Sequence, residues 1–123
     1  MSNGILVSSD LMFISKVKEA AASAQGQVKV ARSLQALEQA IAESTSPGAF
    51  MIDLEKSGIP RADLQEPVAR LSSQGWRVVS FFSHVHEEVA GEAVELGLGE
   101  VMPRSKFVRV LPELFLRSEA DDA

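Results

Sequence analysis

The sequence predicts a three-layer α/β/α fold in which five helices cover a five-stranded parallel sheet. Short apolar runs alternate along the chain with longer stretches whose apolar residues recur at helical spacing. Five such strand–helix pairs fit into 123 residues with short connections. A strand, a helix and a second parallel strand form a right-handed crossover, so repeated units of this kind build a parallel sheet with helices on both faces.

Five short apolar runs are predicted as strands. Residues 49–54 are apolar until Asp53, which is typical of a strand that is buried on both faces. The five predicted strands cover residues 4–7, 28–31, 49–54, 77–82 and 100–103.

The stretches between the strands are predicted as helices with one apolar face. We expect Ser33 and Ser105 to cap the second and fifth helices, and Asp63 with Glu66 to form a capping box at the start of the third. Gly97 ends the fourth helix. The predicted inner faces are Leu11, Ile14, Val17, Ala21 and Ala24 in the first helix, Leu34, Leu37, Ala40 and Ile41 in the second, Val89, Ala93 and Leu96 in the fourth, and Phe107, Leu111, Leu114 and Phe115 in the fifth.

The composition is that of one soluble globular domain, with 46% hydrophobic and 24% charged residues. The formal net charge is −5, and no basic stripe of the kind that binds nucleic acid is present. No apolar run approaches the roughly 20 residues that span a bilayer, and the first residues lack the features of a signal peptide. We therefore expect a cytoplasmic protein without nucleic-acid or membrane partners.

Polar residues follow four of the predicted strands at one edge of the sheet. Functional groups in parallel sheets gather at the carboxyl ends of the strands, near the switch in strand order. The segments at these ends are residues 8–10 (SSD), 53–55 (DLE), 83–84 (SH) and 103–105 (PRS).

These segments, in this order and spacing, resemble the receiver domain of bacterial response regulators, the CheY-like family with a flavodoxin-like fold. The resemblance rests on residues 5–10 (ILVSSD), 50–55 (FMIDLE), 78–83 (VVSFFS) and 95–104 (ELGLGEVMPR). It covers nearly the whole chain, so we expect one receiver-like domain at 4–117, followed by an acidic disordered tail at 118–123.

The resemblance implies a role for several of these residues. Asp53 would be the phosphoacceptor, with Ser83 and Arg104 as the residues that contact the phosphoryl group and report its arrival. Ser8 and Ser9 fall where the family has acidic residues, Arg104 falls on a lysine position, and Val101 replaces an aromatic switch residue. The weak metal-ligand candidates are Asp10, Asp53 and Glu55. An offset of one residue would move Asp10 into the acidic pair.

These departures predict a degenerate receiver, or pseudo-receiver, that is not an enzyme and needs no cofactor. Serine hydroxyls are poor ligands for Mg²⁺, which prefers carboxylate and water oxygens. We expect Mg²⁺ only if the domain accepts phosphate. In a purely structural interpretation, Asp53 accepts no phosphate and forms a bidentate ion pair with Arg104 that holds the site in one state.

Three functions stay open at this point. The first is a two-component signalling module that acts by contact with a histidine kinase, a downstream effector or another copy of itself. The second is a working response regulator in a phosphorelay, phosphorylated on Asp53. The third is a small-ligand sensor, for which the first loop offers no glycine. A metal site at His84 and His86 lacks a third ligand.

Charge is sorted between the last two predicted helices. Residues 84–100 contain five acids and no Lys or Arg, whereas residues 101–117 contain four basic residues and one acid. Two such helices are complementary under a two-fold rotation, which suggests a weak homodimer, although neutralisation within one molecule fits as well. The interface candidates are Glu88, Glu92, Glu95, Arg109, Glu113, Leu116 and Arg117.

Overall fold

The structure, a computed structural model, describes residues 3–83 and 86–115. Its five strands form one parallel sheet in the order β2-β1-β3-β4-β5. The strands are β1 (Asn3–Val7), β2 (Gln27–Ala31), β3 (Ala49–Asp53), β4 (Arg77–Phe82) and β5 (Glu100–Pro103). The helices are α1 (Leu11–Ser23), α2 (Leu34–Glu43), α3 (Gln65–Ser73), α4 (Glu87–Leu96) and α5 (Arg104–Phe115), with a 3₁₀ helix at Arg61–Leu64. The predicted three-layer fold is confirmed.

Alternate strand residues point to opposite faces of the sheet and define two apolar cores. On one face, Leu6, Met51 and Phe81 pack against α1 and α5. On the other face, Ile5 and Phe50 pack against α2, α3 and α4. Because β1 lies between β2 and β3, the strand order reverses there, and this reversal places the carboxyl ends of β1 and β3 side by side.

The predicted inner face of α1 is wrong at its start. Leu11 is 67% exposed, whereas Phe13, which was not predicted, is buried. The ring of Phe13 lies 4.9 Å from that of Phe81, and Phe81 stacks on Phe107 at 4.2 Å. Leu11 belongs to the first turn, where α1 begins at the carboxyl edge of the sheet. Leu34 is likewise 41% exposed at the start of α2.

Two of the three predicted helix caps are also wrong. Ser33 caps α2 as predicted, since its Oγ accepts from the Ala36 N–H at 3.1 Å. The capping box at Asp63 is replaced by the 3₁₀ helix, and α3 begins after Leu64 without a side-chain cap. Helix α5 follows β5 directly at Arg104, so Ser105 lies inside its first turn.

The predicted tail at 118–123 lies outside the described residues. Within residues 3–83 and 86–115, none of the helices has both the length and the apolar character needed to cross a membrane.

Two glycines on either side of Leu98 form the turn between α4 and β5. Gly97 and Gly99 both have positive φ, +71° and +80°. A Cβ at Gly97 would meet no atom within 4 Å, whereas a Cβ at Gly99 would lie 2.5 Å from the Val78 carbonyl oxygen. Glycine suits both positions because the backbone there is left-handed. Gly99, unlike Gly97, is also packed against the neighbouring strand β4.

We predict that Gly99→Ala destabilises the protein more than Gly97→Ala does. The Gly97 substitution should lower the free energy of unfolding by about 1 kcal/mol, the usual cost of a left-handed alanine. The Gly99 substitution should cost at least about twice as much, because β4 must also shift. Urea denaturation of the two variants measures the difference, and equal losses would contradict the close approach to Val78.

Candidate functional site

The candidate site centres on Asp53, the last residue of β3, whose side chain is completely buried. Its Oδ1 accepts hydrogen bonds from the backbone N–H groups of Glu55 and Lys56, at 3.2 and 3.1 Å. Its Oδ2 accepts from the Ser8 hydroxyl at 2.9 Å and lies 3.7 Å from Arg104 Nη2. Both carboxylate oxygens therefore have partners, as a buried acid requires.

The two serines after β1 differ in what they contact. Ser8 is buried, and its Oγ donates to Asp53 while it accepts from the Asp10 N–H at 3.1 Å. Ser9 is exposed, and its Oγ and N–H both donate to the Lys56 carbonyl, at 2.9 and 2.7 Å. Only Ser8 enters the site, while Ser9 ties the loop after β1 to the loop after β3.

Asp10 joins the same cluster from the start of α1. Its Oδ1 caps the helix by accepting from the Phe13 N–H at 3.2 Å. Its Oδ2 lies 3.6 Å from Lys56 Nζ and 3.8 Å from Arg104 Nη1. The Phe13 hydrogen bond, aided by the charges of Lys56 and Arg104, holds the pKa of Asp10 below its ordinary value of 3.8, against the opposing effect of burial.

Arg104 lies between the two carboxylates rather than in a bidentate pair with one of them. Its contacts with Asp10 and Asp53, at 3.8 and 3.7 Å, exceed hydrogen-bond length, and its Nε is buried without a partner. The guanidinium instead lies over the Phe13 ring, 4.7 Å from the centroid, and 5.9 Å from that of Phe81. The predicted proximity to Asp53 is present, but the predicted bidentate geometry is wrong.

Glu55 turns away from Asp53 toward the start of α4. One of its carboxylate oxygens accepts from the Ser83 N–H, and the other contacts Nδ1 of His86. No hydrogen bond among the residues that the structure describes joins the Ser83 hydroxyl to Asp53. The contacts of Glu55 with Ser83 and His86 are not among the sequence-based predictions, although the adjacency of the carboxyl ends of β3 and β4 could have suggested them.

The residues of this edge do not fit the Mg²⁺ site of the receiver family. Asp53 uses both oxygens in hydrogen bonds, and Glu55 is engaged elsewhere. The Arg104 guanidinium lies within 4 Å of both Asp10 and Asp53, where a cation would have to approach. Across ranges 3–83 and 86–115, no group of three or more potential ligands could hold a metal ion. His84 lies outside these ranges.

The interface candidates are placed on the outer sides of α4 and α5, as far as they are described. Glu88 and Glu95 are exposed, as are Arg109 and Glu113. Glu92 is already engaged with Arg61, whose Nε lies 2.8 Å from its carboxylate. Leu116 and Arg117 lie outside the described residues, and the homodimer stays a prediction.

We predict that Asp10→Asn weakens the fold only where Asp10 is ionised. Asparagine still caps a helix but loses the attraction to Lys56 and Arg104, so at pH 7 the free energy of unfolding should fall by less than about 1 kcal/mol. A lowered folded-state pKa adds stability that is complete above pH 3.8 and is lost as pH falls through the folded value. Urea denaturation from pH 7 downward should show the two proteins converging below pH 3.8, and a constant difference would contradict this.

We predict that Arg104→Met lowers the free energy of unfolding by about 2 kcal/mol at pH 7, because Asp53 then keeps its hydrogen bonds but loses the nearby positive charge. Arg104→Lys keeps the charge but cannot reach both carboxylates over the Phe13 ring, so its loss should be smaller. Chemical denaturation of both variants checks the order. A methionine variant as stable as the parent would show that the 3.7 Å contact contributes nothing.

Comparison with known proteins gives a likeness of fold. No family model matches the sequence, and no curated protein matches it. Among solved structures, the chain is similar to the crystal structure of an uncharacterized protein from Neptuniibacter caesariensis, with a TM-score of 0.67 and 17% sequence identity. The likeness covers 93% of this chain and 89% of that chain. Together with the strand order, it supports a three-layer α/β fold of the flavodoxin-like type.

Proposed function

We propose that this chain is a receiver-like signalling module that acts by protein contact, in the cytoplasm where such domains operate, and that Asp53 is not a phosphoacceptor. The observation that carries the proposal is the complete burial of Asp53 with both of its oxygens engaged. The expected partner is a signalling protein, such as a kinase or a downstream effector.

Phosphoryl transfer to a carboxylate needs two things at this edge of the sheet. An oxygen of Asp53 must face the phosphorus atom in line with the leaving group, and a divalent cation must offset the charge of the phosphoryl oxygens. The Asp53 oxygens instead point toward the Ser8 hydroxyl and two backbone N–H groups. Attack would require the loops after β1 and β3 to open first.

Arg104 places a permanent positive charge beside Asp53, at the position where the receiver family has a lysine. Its guanidinium stays charged at all physiological pH values and stacks on Phe13. Asp53 is therefore neutralised without a metal ion, and the loops that donate to it are held in one arrangement. A partner that binds such a domain would recognise a constant surface.

We predict that acetyl phosphate with Mg²⁺ leaves the protein unlabelled, because Asp53 presents no free oxygen to the donor. Intact-mass spectrometry measures any phosphoryl adduct, with a competent receiver domain as positive control in the same reaction. Asp53→Asn serves as the matched variant. An adduct that forms on the parent protein and is lost in Asp53→Asn would overturn the proposal in favour of a phosphoacceptor response regulator.

A further inference from the structure

The two helical layers carry opposite charge. Helices α1 and α5 together contain five basic and two acidic residues, so their net charge is +3. Helices α2, α3 and α4 and the 3₁₀ helix together contain eight acidic and two basic residues, so their net charge is −6. The acidic layer therefore attracts a basic partner and repels an anionic one.

Within the acidic layer, the boundary between α2 and α3 is open at both ends; we call it the α2–α3 seam. Near the start of the two helices, a cavity of about 350 Å³ is lined by Leu34, Glu38, Ala62, Asp63, Glu66 and Pro67. Near their ends, a cavity of about 220 Å³ is lined by Ile41, Leu71, Gln74, Trp76 and residues 44–47.

A single charged bridge separates the two cavities. Arg70 Nη2 binds the Glu38 carboxylate at 2.5 Å and the Glu66 carboxylate at 3.1 Å. Arg70 Nε is buried without a partner. The seam is thus divided into two depressions, each lined by both polar and apolar side chains, with the charged bridge between them.

The neighbouring boundary, which separates α4 from the 3₁₀ helix and α3, is closed by side chains. Arg61 binds Glu92 at 2.8 Å and the Leu54 carbonyl at 2.7 Å. Gln65 donates to the Leu96 carbonyl at 3.2 Å. These bonds close the boundary with α4. The α2–α3 seam is bridged by Arg70 near its middle and has a cavity on either side, so side chains of a partner would enter at the seam.

The first cavity combines exposed apolar surface with an acidic rim. Leu34 is 41% exposed at its lip, Ala62 is exposed, and Pro67 lies buried beneath. On the rim, the side chain of Glu66 is 71% exposed and Asp63 is exposed as well. Covering this apolar surface with a partner side chain lowers the free energy of the complex. The carboxylates favour a lysine or arginine beside that side chain.

We propose that the α2–α3 seam is the docking site for a basic amphipathic helix of a partner protein. The inference rests on the proposed function only in that the domain acts by contact. Leu34 and Ile41, one in each cavity, are seven residues apart in α2, which is about 10.5 Å along a helix axis. A partner helix along the seam would place two apolar side chains seven residues apart into the cavities, flanked by basic residues facing Glu38, Asp63 and Glu66.

The test uses a synthetic helical peptide of alanine, lysine and arginine with two leucines seven positions apart. We expect saturable binding, with amide NMR shifts confined to α2, α3 and the 3₁₀ helix and a change in the fluorescence of Trp76, which lines the second cavity. A peptide of the same composition with the leucines five positions apart, on different faces of the helix, should bind more weakly.

Matched charge reversals separate the seam from the acidic layer as a whole. Asp63→Lys with Glu66→Lys should weaken the peptide about tenfold, because two rim contacts become repulsive. Glu87→Lys with Glu88→Lys makes the same change in net charge on α4 and should weaken it by less than about threefold. Ala62→Trp, which fills the first cavity without altering charge, should also reduce binding.

Several results would overturn the docking site: no saturable binding, shifts on α1 and α5 instead, or equal loss in the two charge-reversal variants. Self-association that the peptide competes with would identify a second copy as the occupant and would overturn it too. The outcome of the phosphorylation assay does not depend on the outcome of the peptide-binding assay. Labelling of Asp53 with peptide binding intact would reject the proposed function alone, and an unlabelled protein that ignores the peptide would reject the seam alone.

Discussion

The burial of one carboxylate organises the carboxyl edge of this sheet. Removing an ionised acid from water costs several kcal/mol unless each oxygen finds donors or a nearby positive charge. Asp53 obtains them from Ser8 after β1, from two N–H groups after β3, and from Arg104 after β5. Two loops and the start of α5, which are far apart in the sequence, must therefore take compatible positions, and the arrangement of the edge follows from that requirement.

The charged cluster is continuous with the apolar core beneath it. Arg104 lies over Phe13, and the Phe13 ring packs against Phe81 and Phe107 from the sheet and α5. The Phe13 ring favours the guanidinium at this place, since cations favour the face of an aromatic ring. A change in the packing of α1 against α5 would therefore move the positive charge relative to both acids.

Much of the fold could be predicted from sequence because strands buried on both faces are nearly all apolar, as residues 49–52 are. The site could be predicted only in part. That Asp53 and Arg104 would meet follows from their positions at strand ends, but the sharing of Arg104 with Asp10 depends on how α1 begins. The turn of Glu55 toward Ser83 and His86 depends on two loops at once. Periodicity carries no information on either, and the receiver type itself stays a prediction.

Within residues 3–83 and 86–115, the opposite charges of the two helical layers form an electric dipole perpendicular to the sheet. The layers are separated by roughly 20 Å, twice the usual spacing of packed layers, so a charged body close to the protein exerts a torque on it. At physiological ionic strength this torque acts only within about the last 8 Å of approach. Over that distance the molecule would rotate to present α2, α3 and α4 to a cationic surface and α1 and α5 to an anionic one, before any side chain makes contact.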